Sequence, residues 1–350
     1  MAERERLASL FRLHLRLMAG LSPASLSSSH QRRGSRKRLL INAIIYLFFS
    51  SVVASIVVSI IQRRQTSGIS PAHLVSVSYV ACVTTTTLVM AAKRDQMNHV
   101  TSVWIKQLQD PGSHVRIVCL LMVTAWLPQA IWLANDLPSK VPRIARLPPL
   151  AMTRGILTII GVVQSSWLSL TYTYYWMAVL IHASLERQRL ALITRTCAGS
   201  SVSVQSSLAS LEGIRRARVT FERLFNLFPL LWFAFNMACL PGYVSQFGHQ
   251  GLLVKVMLIG RNLLPPMLLV LVVARQDERS ARLASAAADV VVENPWLTWG
   301  SKLLLLRSLD AVSQSRRTGM RFFSLNKSFL VSYSGALLSF GVLLYRLLRG

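Results

Sequence analysis

The chain has 350 residues, 52% of them hydrophobic, and carries 39 Lys and Arg against 13 Asp and Glu, a formal net charge of +26. Its apolar residues gather in blocks of about 18 to 27, long enough to cross roughly 30 Å of hydrocarbon as helix, which excludes an ordinary soluble domain. So basic a balance also suits nucleic acid. The basic residues lie between the apolar blocks, however, so the partner they imply is a lipid bilayer with an anionic inner face and no nucleic acid.

Residues 1–38 read as a basic cytoplasmic segment. LASLFRLHLRLMAGLSPASLSSSHQRRGSRKR is rich in Arg and Ser, as mitochondrial presequences are. Glu3 and Glu5 at the start, and Arg interrupting every apolar run, favour an amphipathic lead-in instead. Residues 39–350 then read as one transmembrane domain, all-α and polytopic, with seven spans. These are 39–61, 72–92, 115–135, 155–181 with its TYTYYW, 226–247, 251–274 and 328–345. Pro241-Gly242 is expected to break the fifth, and Pro265-Pro266 falls inside the sixth.

Segment 1–38 and the loops 93–114, 182–225 and 275–327 hold 28 of the 39 Lys and Arg, which places the N-terminus inside and the C-terminus outside. The long inner loops are expected to be helical extensions of the spans. RQDERSARLASAAADVVVE, 275–293, puts Arg and acidic residues on one side and Ala and Val on the other. SKLLLLRSLDAVSQS, 301–315, repeats Leu303, Leu306 and Leu309 as a packing face.

Catalysis finds little support. No acidic residue lies within a span, which removes the usual proton relay and the carboxylate ring of a cation-coupled transporter. No half-to-half repeat marks a secondary transporter. HExxH, GxSxG and P-loop patterns do not occur, so the chain is not expected to be an enzyme or to carry a cofactor. Cys82, Cys119, Cys197 and Cys239 have neither disulfide-framework nor zinc-site spacing. The sidedness reverses that of a G-protein-coupled receptor. No NPxxY-like sequence ends the seventh span, and ERQRL after the fourth is no substitute for the acidic-Arg motif of such receptors.

The polar exceptions within spans are more informative. The sixth contains Lys255, Arg261 and Asn262; starting it after Arg261 leaves NLLPPMLLVLVVA, too short to cross. Arg261 is therefore expected to face a hydrated cavity. Trp126, Gln129 and Trp132 in the third span, Gln164 and Trp167 in the fourth and Asn236 in the fifth are its companions. Aromatics with a few amides make a pocket for a small organic ligand, though Trp at span ends also forms the ordinary interfacial belt.

On the last span Ser328, Ser332, Gly335, Ser339, Val342 and Arg346 step by three or four, forming one narrow stripe. Such a stripe permits close helix packing or faces water in a pore built from several copies. Arg346 at its end calls for a hydrated mouth.

FFSLNKSFLVSYSGALLSFGVLLYR resembles the carboxyl end of arthropod gustatory receptors, members of the insect chemoreceptor superfamily. Phe323, Leu325 and Asn326 match the family's lead-in to its last span. The closing Thr-Tyr, five apolar residues, Gln-Phe aligns with Ser339-Phe340, GVLLY and Arg346-Leu347, so all four signature positions differ. LMAGLSP, 17–23, resembles the family's Gly-Leu-x-Pro. The resemblance implies a multi-pass plasma-membrane receptor, one subunit of a homo- or hetero-tetrameric, ligand-gated, non-selective cation channel. Its last helix would line the pore through Ser332, Gly335, Ser339, Val342 and Arg346, and a small tastant or odorant-like ligand would bind in the outer half of each subunit. Arg346 stands where the family carries an uncharged Gln, and four arginines oppose cation flow. A carrier or lipid-handling protein without a pore is the rival reading.

Overall fold

The computed structural model describes residues 2–19, 71–110, 114–117, 119–120, 123, 149–199, 203–246, 264–314, 317–319 and 323–349. Among these, eight helices are delimited: α1 Ala2–Ala19, α2 Pro71–Gln107, α3 Pro149–Ala198, α4 Val204–Phe225, α5 Leu227–Gln246, α6 Leu264–Glu293, α7 Trp299–Gln314 and α8 Lys327–Arg349. A two-stranded antiparallel ribbon, β1 Thr318–Gly319 and β2 Phe323–Ser324, joins α7 to α8 with Thr318 opposite Ser324. The chain is thus mostly helical, and the ribbon is the part that an all-α reading omits.

Helices α2 and α3 have 37 and 50 residues. At about 1.5 Å per residue they run roughly 55 and 75 Å. Among the described residues no helix is both long and apolar enough to cross a membrane. The expected span 39–61 lies outside the described residues, as do most of 115–135 and the part of the sixth span before Leu264.

The prolines fall differently from the sequence expectation. Helix α5 runs unbroken through Pro241-Gly242 to Gln246. Pro241 removes only the N–H bond to the carbonyl four residues back, and a helix packed along α2 and α8 keeps its course without it. Pro265 and Pro266 occupy the first turn of α6, where their missing N–H groups have no intrahelical partner to lose.

Two apolar cores organise the molecule. The larger gathers α1, α2, the middle of α3, the end of α4, α5, the start of α6 and the start of α8. Helix α1 is amphipathic as predicted. Its Leu7 and Phe11 are fully buried, Phe11 meeting the Tyr174 ring edge-on at 5.3 Å, and Arg4 donates to the Leu108 carbonyl at 2.7 Å. The smaller core is a four-helix bundle of α3, α4, α6 and α7, holding Leu190, Ile193, Leu211, Ile214, Ala284 and Val291. Helix α7 contributes Leu305, Leu309 and Val312, the i, i+4, i+7 set. Leu303 points out at 57% exposure, Leu306 is partly buried and Leu309 is buried, so the expected Leu303–Leu306–Leu309 face is turned by about a quarter of a turn toward Leu305 and Val312.

Ser203 caps α4, its side chain accepting from the Ser206 N–H at 3.3 Å. Asn326 caps α8 in the same way, accepting from the Phe329 N–H at 2.7 Å. That gives the Asn of the lead-in a physical role, since Asn and Asp are among the best helix N-caps.

Candidate functional site: an ionic layer at the root of the last helix

Between the two cores lies a layer of buried charge. His182 and Glu186 come from α3, Arg218 from α4, Asp277 from α6 and Arg317 from the segment ahead of β1; each is at most 9% exposed. Glu186 pairs with Arg218, and Arg317 pairs with Asp277. Arg317 also reaches Glu186 at 3.4 Å and donates to His182 Nδ1 at 2.9 Å. Its backbone N–H adds a bond to Asp277 Oδ2 at 3.1 Å. One turn along α4 from Arg218, Glu222 accepts from the Thr318 N–H at 2.8 Å and the Thr318 hydroxyl at 2.7 Å. Arg218 donates in addition to the Val312 carbonyl at 2.6 Å.

The electrostatics are self-consistent. Burial works against the Arg317 charge, but Asp277 and then Glu186 outweigh it and raise its pKa, so it stays protonated. His182 moves well below its ordinary value, first through burial and then through facing Arg317 and Arg218. It is neutral, and accepting at Nδ1 leaves its proton on Nε2. A cavity of about 10 Å³, room for about one water, opens beside Trp104, His182, Glu186 and Arg189. The set contains no nucleophile placed against a base. It can hold together α3, α4, α6 and the lead-in to α8, and that is a mechanical role.

The ribbon passes this hold to α8. Phe323 of β2 stacks on Phe329 of α8 at 4.3 Å, and Phe233 of α5 meets Phe329 and Tyr333 edge-on at 5.0 and 4.6 Å. Tyr333 and Leu337 are buried. The other side of α8 is open: Ser332, Gly335, Ser339, Val342 and Arg346 are all exposed, flanked by Val331 and Leu338. A Cβ added to Gly335 meets nothing within 4 Å. The expected pore stripe is therefore the unpacked face of α8 in a single chain.

The expected ligand residues are placed less fully. Trp126, Gln129, Trp132 and Arg261 lie outside the described residues, and Gln164 and Trp167 ride on α3 with side chains outside them. Asn236 of α5 is fully buried, and neither of its amide atoms has a hydrogen-bond partner among the described residues. Its neighbour one turn back, Trp232, packs on Tyr172 at 4.2 Å and Tyr175 at 5.4 Å. Sequence reading missed the ionic layer entirely. Its one sequence signal was a cluster of acids and arginines at 182–186, 218–222 and 277, inside stretches otherwise read as amphipathic packing.

No family model matches the sequence, and no curated protein does. The structure is similar to that of the insect olfactory receptor OR5 from Machilis hrabei, with a TM-score of 0.70 and 12% identity over 98% of this chain and 97% of that one. It is also similar to the structure of that receptor in complex with eugenol, with a TM-score of 0.62 and 13% identity over the same shares of both chains. Over nearly its whole length, the chain has a fold similar to that of an insect olfactory receptor.

Proposed function

We propose that the chain is a chemosensory receptor of the gustatory type, a subunit of a ligand-gated, non-selective cation channel in the plasma membrane. The observation that carries this reading is the likeness, over nearly the whole chain, to an insect olfactory receptor whose structure is known with a small organic molecule, eugenol. The charge pattern between apolar blocks supports an inside N-terminus and an outside C-terminus.

Ligand enters the outer half of the bundle, among Trp126, Gln129, Trp132, Gln164, Trp167, Asn236 and Arg261. The open face of α8 lines the pore with Ser332, Gly335, Ser339, Val342 and Arg346, in a homo- or hetero-tetramer. Gating requires ligand to bind the open state more tightly than the closed one. The ionic layer supplies the fixed end against which α8 moves: Arg317 and Thr318 hold its root, while the residues described in its far half are mostly exposed.

Current recorded from cells expressing the chain, alone and with related subunits, during a small-molecule screen tests the reading. Ligand-evoked cation current supports it. Arg346 favours the rival carrier, and uptake of a labelled solute without current in every combination would replace the channel by that carrier.

A further inference from the structure

Helix α6 carries Arg275, Arg279 and Arg282, which step by four and three and so share one side. All three are exposed and make no hydrogen bond or ion pair among the described residues. The acid on that side, Glu278, is taken by Lys327 at 2.8 Å. Across from the stripe stands Arg187 of α3. Its register follows from the ionic layer, since Arg317 bridges the preceding Glu186 to Asp277 of α6. Arg187 is half-buried and, among the described residues, donates only to the Ala183 carbonyl at 3.3 Å and the Ser184 hydroxyl at 3.1 Å. An arginine has five N–H donors, so most of this guanidinium is left over. Ser184 also meets His114 Nε2 at 2.8 Å. Burial and the nearby Arg279 lower the Arg187 pKa, with Glu186 only partly offsetting them. A positive charge held half out of water beside a second one calls for an anion.

The height of this face says which anion. Arg275 directly follows the expected span 251–274, Arg187 lies six residues past the end of 155–181, and Lys327 directly precedes 328–345. Given the membrane reading above, on which this rests, they lie where the phosphates of the inner leaflet lie. Guanidinium forks match phosphate oxygens two at a time, and a monoester phosphate carries more charge than a diester. We infer that Arg187, Arg275, Arg279 and Arg282 form a site for the phosphorylated headgroup of an anionic inner-leaflet lipid.

The test uses the full chain purified in detergent and short-chain phosphatidylinositol bisphosphate, phosphatidylserine and soluble inositol trisphosphate as probes, with bound lipid counted by native mass spectrometry. The bisphosphate lipid is expected to bind at least about tenfold more tightly than phosphatidylserine. Arg279→Gln with Arg282→Gln, both at exposed positions where folding is not at stake, is expected to weaken it about tenfold or more. Arg187→Lys keeps the charge and is expected to lose less. Arg215→Gln with Arg216→Gln, on α4, is expected to change nothing. Equal binding of both lipids, or full binding by the α6 double variant, overturns the site; inositol trisphosphate binding as tightly as the lipid overturns its assignment to a membrane lipid. The readout involves no current, so a failed channel reading leaves it standing, and loss of lipid binding leaves the channel reading standing.

Discussion

Arg317 holds Asp277 twice, through its guanidinium and through its own backbone N–H at 3.1 Å, so this carboxylate fixes both the side chain and the path of the chain entering α8. Breaking one partner of a buried pair strands the other charge and costs about 3–5 kcal/mol. Asp277→Ala is expected to fall in that range, seen as a lowered midpoint when the detergent-purified protein is heated and the folded fraction measured. Asp277→Leu with Arg317→Met removes both charges, and Glu186 keeps Arg218, so the double variant is expected to be more stable than Asp277→Ala. Simple addition of two losses would contradict the pairing.

His182 makes stability depend on pH. Its folded pKa lies well below the ordinary value because of burial and then Arg317 and Arg218. Below about pH 6.5 the unfolded chain therefore binds a proton that the folded chain refuses. Stability falls as the medium is acidified through that value and is flat with respect to this group above it. His182→Gln keeps a neutral acceptor and is expected to flatten the acid side of a melting-temperature profile between about pH 5 and 7. An unchanged slope would place the dependence elsewhere.

Gly335 separates packing within the single chain from contacts in the proposed assembly. With open space where a Cβ would go, Gly335→Ala is expected to leave folding intact or stabilise α8 by about 0.5–1 kcal/mol. Gly335→Trp is expected to keep surface expression yet abolish current, because the bulk enters a pore or a contact between copies. Normal current from a well-expressed Gly335→Trp protein would remove α8 from the conduction path.

In the proposed pore, Arg346→Gln removes a positive charge from each copy of the stripe. Cation conductance is expected to rise, and relative permeability to anions to fall, in single-channel and reversal-potential measurements. No change in either would mean that Arg346 does not face the ions.

Asn236→Leu distinguishes packing from recognition. Its amide atoms are unpaired among the described residues, so an apolar side chain of similar size is expected to leave stability unchanged or raise it. If Asn236 touches ligand, the dose–response curve shifts to higher concentration in the same variant. An unshifted curve confines Asn236 to the core.

Much of the fold was legible because helices have a period. The amphipathic pattern of 275–293 lies within α6, that of 301–315 lies within α7 as far as Gln314, and the stripe of small residues is indeed one face of α8. Period alone could not choose among leucines in SKLLLLRSL, where several faces are apolar; contact with α4 and α6 turned Leu305 and Leu309 inward. Nor could it foresee that α5 passes through Pro241, since a single lost hydrogen bond is outweighed by packing along the helix.

The sequence by itself determined the helical character, the separation of charge from apolar blocks and the small-residue face of α8, because these are local patterns repeated along the chain. Only the tertiary structure decided that Glu186, Asp277 and Arg317 share one buried layer. They are drawn from positions up to 131 residues apart, and charge pairing carries no sequence period. A buried charge is tolerated only where its partners converge, and convergence is a property of packed helices. It is through that packing that the root of α8 acquires its anchor.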